Sequence, residues 1–223
     1  MTGLTRTDKH LRLALSVAGI VLLATVAAGF LTSSRGPFTF GPYLIAPFLV
    51  VPAYLIAGWI AWERRPDSRI GLLLLIAGVL YAAGNLYPVD IAPIFTIAWL
   101  LGTYYQNVLG QMLLAFPSGR LQNTWERVLV VGFYVSGTLG GPVAMMFRDP
   151  QLACPCHLPT NVAMITSAPG VADTLESTTS VAAVVLISLF VVVLVRHWRA
   201  ADPRASGSLR AVTGVLAGDV ARR

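Results

Sequence analysis

The side chains best suited to chemistry are two thiols and an imidazole, Cys154, Cys156 and His157, with Pro155 between the thiols. Thiolate sulfur and imidazole nitrogen are ligands for zinc and copper. Three near-adjacent residues cannot easily close a tetrahedral shell, so a metal would need a further ligand, and Asp149 is a candidate. A disulfide across Cys-Pro-Cys would be strained and easily reduced; a bond between two copies of the chain avoids the strain. An inert or structural disulfide is the first reading of this cluster, redox lability the second and a metal site the third.

A second group of polar side chains lies within apolar runs: Asn85, Gln106, Asn107 and Gln111. Asn107 and Gln111 are four residues apart and share a helix face. They could bind a ligand or line a narrow polar path. The plainer role, which we favour, is hydrogen bonding between helices, about 0.6 kcal/mol on average. Other chemistry is missing. No Asp or Glu lies within the apolar runs, and His10, His157 and His197 are expected to lie outside the hydrocarbon. Ser118 stands before a glycine without a histidine partner, so it reads as a turn residue. The glycines from 137 to 141 fall inside an apolar run, where no nucleotide phosphate could reach. These residues predict no enzyme and no cofactor.

The elements that must position these groups are membrane helices. Hydrophobic residues make up 56% of the 223 and charged residues only 12%, more apolar side chain than a soluble domain of this length can hide. Six runs approach the roughly 20 residues a helix needs to cross a bilayer: 11–31, 43–62, 70–87, 94–116, 128–146 and 180–198. They are apolar all round, without the alternation of a β-barrel strand. The expected fold is all-α: a six-helix transmembrane bundle over 1–199, then a tail over 200–223.

Fourteen of the sixteen Lys and Arg residues fall on one side of these runs; only Arg35 and Arg148 fall opposite. The positive-inside rule puts that side, with both termini, in the cytoplasm of a multi-pass plasma-membrane protein. Anionic lipid accounts for the net charge of +6, so no nucleic-acid partner is expected. Trp59, Trp62, Trp125 and Trp198 mark inner ends, and Tyr43 and Tyr87 outer ends. Residues 26–28, Val-Ala-Ala, would pass as a signal-peptide cleavage site, but the first run is long and five more follow, so an uncleaved anchor is expected. In the tail, Leu209, Val212, Leu216 and Val220 recur at helical spacing, which fits an interfacial helix or a truncated seventh span.

Proline and glycine set the punctuation. Pro66, Asp67 and Ser68 stop one helix and start another, and Pro117, Gly119 and Arg120 turn the chain after Phe116. Pro47 and Pro52 bend the second run, as packing geometry or as a hinge. Gly137 and Gly141 form a GxxxG that permits close helix approach or dimerisation. Residues 147–179 form the one sizeable external segment. No internal repeat is present.

Two segments carry a resemblance. Residues 62–74 read Trp-Glu-Arg-Arg-Pro-Asp-Ser-Arg-Ile-Gly-Leu-Leu-Leu, and residues 113–121 read Leu-Leu-Ala-Phe-Pro-Ser-Gly-Arg-Leu. Together they resemble the membrane-embedded input region of actinobacterial-type sensor histidine kinases, over roughly a third of the chain. The motif positions are Arg64, Arg65, Pro66, Asp67, Gly71, Phe116, Pro117, Gly119 and Arg120. The resemblance implies a dimeric receptor whose bundle signals to a cytoplasmic phosphoacceptor helix pair and an ATP-binding domain. Neither transmitter part is found in these residues, and no histidine begins a phosphoacceptor box, so kinase activity does not carry over. The tail fits a truncated or frameshifted gene, or a fragment.

The expected function is a membrane sensor or signal-input module of two-component type, working by helix rearrangement. Its expected partners are lipid, a second copy of the chain and a cytoplasmic transmitter or kinase. The alternatives are a small transporter or channel, and a redox- or metal-responsive protein using Cys154, Cys156 and His157.

Overall fold

The computed structural model describes residues 6–32, 45–116, 118–153 and 158–201. Their regular structure is helical, with no strand among them. Three helices are long and apolar enough to cross a membrane: Lys9–Thr32, Ala46–Arg64 and Pro169–Arg196. They are compatible with a membrane protein. In chain order the helices are α1 (Arg6–Thr32), α2 (Ala46–Arg64), α3 (Ile70–Gly84), α4 (Ala92–Leu101), α5 (Tyr104–Ala115), α6 (Thr124–Thr138), α7 (Pro150–Ala153) and α8 (Pro169–Ala201).

The bundle is organised around α3, which packs on α1, α2, α4 and α5. Its sequence explains why. Gly71, Ala77, Gly78, Ala82 and Ala83 are all buried, and small side chains let neighbouring backbones approach. The approach to α2 is close at Gly71, where a β-carbon would lie 2.7 Å from the Trp62 backbone nitrogen and 2.8 Å from the Gly58 carbonyl. Leu75, fully buried, fills the adjoining space with Val51 and Leu55 of α2.

The apolar run 94–116 is not one helix. It divides at Gly102 and Thr103 into α4 and α5. Gly102 has no side chain to cover its backbone, and its α-carbon lies against Gly84 at the end of α3. The run 128–146 starts earlier, at Thr124, and continues from α6 into a widened π-helical turn over Leu139–Val143. Pro142 lies within that turn. Proline has no N–H for the regular helical bond, and a wider turn accommodates it.

The last helix corrects the expected extent of the external segment. It begins at Pro169, not near 180, so only part of 147–179 is loop. Pro169 suits a first helical position. At about 1.5 Å per residue, 33 residues reach roughly 50 Å, well beyond a hydrocarbon core of about 30 Å. Its early turns are polar: Thr174 and Thr179 donate hydroxyl bonds back to the Gly170 and Leu175 carbonyls.

Contacts define two ends. At one, Arg12 pairs with Glu63 at 3.5 Å and lies 3.9 Å from the Trp59 ring centroid. Arg64 ends α2, and Arg65, Arg69 and Arg120 belong to loops, at this same end. At the other, Phe30 and Val26 of α1 pack with Leu86, Val89 and Ala98. There the segment after residue 158 is pinned across the bundle. Buried Asn161 donates to the Met145 carbonyl at 2.8 Å, and the Val162 amide donates to Thr96 Oγ1 at 3.1 Å.

Candidate functional site

The polar residues of the apolar runs separate into different environments. Asn85 ends α3 and donates from Nδ2 to the Tyr81 carbonyl at 2.7 Å. Gln111 accepts a bond from the Tyr134 hydroxyl at 3.1 Å, joining α5 to α6. Gln106 is exposed and bonds its neighbour Tyr105. Asn107 turns toward α6, where a β-carbon on Gly137 would lie 2.7 Å from its Nδ2. Gln106 and Asn107 line one groove of about 770 Å³ between α5, α6 and α8; Gln111 and Asn85 are not among its lining residues.

That groove explains the GxxxG. Gly137 faces Asn107, and Gly141 faces Thr103, at 3.2 Å for a built β-carbon. The pair therefore brings α5 against α6 within one chain. The proximity leaves Asn107 Nδ2 and Thr103 Oγ1 buried without a hydrogen-bond partner among the described residues, each costing about 1–3 kcal/mol. Ser136 and Thr138 do find partners, in the Thr179 carbonyl and the Tyr104 hydroxyl.

Sequence reasoning missed two charged arrangements. Arg148 Nη2 reaches Asp173 Oδ1 at 2.7 Å and Glu176 Oε2 at 2.9 Å, clamping the polar start of α8. The i, i+3 spacing of the two acids is the signal that was present. Glu126 is only 1% exposed. Its carboxylate accepts from the Gln122 and Asn123 amides and from Asn123 Nδ2, closing a capping box at the start of α6. Asn-x-x-Glu before an apolar run advertises that cap.

The two loops that carry the family resemblance meet. Arg69 N–H donates to the Ser118 carbonyl at 3.4 Å. Gly119 has φ +73, and a β-carbon on it would lie 2.5 Å from the Arg69 nitrogen. Only glycine combines that left-handed backbone with so close an approach. Arg64, Arg65, Pro66, Asp67, Ser68, Ser118 and Arg120 line a cavity of about 600 Å³ at this junction. Gly71 is buried against α2 and Phe116 is exposed. Pro117 lies outside the described residues, as do Cys154, Cys156 and His157. No group of three His, Cys, Asp or Glu among the described residues is arranged to hold a metal.

The chain matches no family model, no curated protein and no solved structure.

Proposed function

We propose that this chain is a membrane signal-input module with six membrane passes and cytoplasmic termini, resembling the input region of sensor histidine kinases. One observation carries the reading. The two resembling loops are separated by more than forty residues, yet they join by backbone contact through Gly119 and Arg69. A movement of α5 is thereby delivered to the α2–α3 loop without bond chemistry. Fourteen cationic residues on the same side of the apolar runs support the orientation.

A chimera tests it. The chain is fused after Ala201 to the transmitter of a sensor kinase, and autophosphorylation is measured in vesicles. Locking the junction with a Ser68→Cys/Ser118→Cys crosslink in a Cys154→Ser/Cys156→Ser background, or distorting it with Gly119→Asp, should change the rate severalfold. Equal rates for free, locked and distorted junctions would overturn the reading. Labelling of Ser68→Cys from the cytoplasmic side tests the orientation separately.

A further inference from the structure

The arginines of the loop junction differ from Arg12 and Arg148. Arg12 and Arg148 are held by acids. Arg64, Arg65 and Arg120 are exposed, and none has an ion pair or side-chain hydrogen bond among the described residues. They come from the end of α2 with its following loop and from the loop after α5, yet all three line the same cavity of about 600 Å³. One carboxylate, Asp67, lies among them, leaving a net charge of about +2.

The frame under these side chains is built from backbone. Gly119 seats one loop on the other, and its N–H donates to the Ala115 carbonyl at 2.7 Å. The Ser118 hydroxyl accepts from the Arg120 amide at 3.2 Å. The Ser68 hydroxyl accepts from the Ile70 amide at 3.3 Å. The guanidinium groups therefore project from a preset base, and a ligand has only the long side chains to order. Guanidinium matches phosphate oxygens in bidentate geometry. The cavity sits at the ends of apolar helices α2 and α3, where, on the membrane reading proposed above, a lipid head group would lie.

We propose that the Arg64–Arg65–Arg120 cavity is a phosphate-binding site, with room for a head group bearing more than one phosphate. It does not depend on the signalling reading, because binding is measured without any transmitter.

The full chain is purified and placed in nanodiscs of phosphatidylcholine, with or without cardiolipin. Lipid retention is read by native mass spectrometry and protein stability by thermal unfolding. In parallel, inorganic phosphate and pyrophosphate are titrated onto the chain in zwitterionic detergent. Each of Arg64→Gln, Arg65→Gln and Arg120→Gln should weaken binding about fivefold. Arg127→Gln, an exposed arginine at the same end but outside the cavity, should weaken it less than twofold. Retention of cardiolipin without a response to free phosphate identifies a lipid head-group site; a response to free pyrophosphate identifies a soluble ligand. Both outcomes support the site. Loss at Arg127→Gln equal to the others reduces the effect to general surface charge and overturns the proposal, as does binding in neither arm. These side chains are exposed, so the variants should keep the wild-type unfolding temperature in phosphatidylcholine alone, which separates lost binding from lost fold.

Discussion

Helices α3 and α8 are both strongly apolar, yet they occupy opposite environments. Helix α3 is enclosed by four other helices. Helix α8 packs on α6 and the π turn, and none of its most apolar stretch is buried. Hydrophobicity does not separate them; side-chain size does. The faces of α3 are cut down by Gly71, Ala77, Gly78, Ala82 and Ala83. The exposed faces of α8 carry Val181, Val184, Val185, Ile187, Val191 and Val192. In a bilayer there is little hydrophobic drive between helices, so close packing decides which ones associate. A stretch rich in small residues recruits protein, and one of branched aliphatics is left uncovered among the described residues.

The sharpest way to break this contrast is at Gly71. Gly71→Leu should destabilise the detergent-solubilised chain by about 3 kcal/mol or more, because the atoms it meets are α2 backbone. If its thermal unfolding is unchanged, the α2–α3 contact is not what holds the centre. Next comes the loop after α5, which seats on the start of α3. Gly119→Ala should cost about 1–2 kcal/mol from the left-handed backbone alone, with further loss from the clash at Arg69, seen as a lower denaturation midpoint.

Smaller effects belong to α8. Arg148→Gln removes a partly exposed clamp and should cost up to about 1 kcal/mol. It should speed amide exchange over residues 169–177 while leaving α3 protected. The smallest effect should be Val185→Ala, within about 0.5 kcal/mol in detergent, since that side chain is 55% exposed. A cost there as large as at Gly71 would mean that protein, such as a second copy, covers α8.

Much of the helical layout was legible because apolar runs and their breakers are local signals. The start of α3 follows from Pro66, Asp67 and Ser68, while α2 runs on to Arg64, two residues past the expected end of its run. Where the reading departed from the structure, a contact between distant residues was responsible. The division of α4 from α5 sits where Gly102 meets Gly84. The early start of α8 depends on a partner 25 residues away, Arg148. For the polar residues, a shared face for Asn107 and Gln111 was visible, but not that Tyr134 would engage one and Gly137 the other.

Composition and order alone established an apolar, helical chain with its cations gathered between particular runs, because hydropathy and charge are properties of each residue in turn. Tertiary structure decided which apolar helix became the centre. It also turned the GxxxG inward and joined the two arginine loops over one cavity. Those outcomes depend on how closely two backbones can approach, a distance set jointly by residues far apart in the chain.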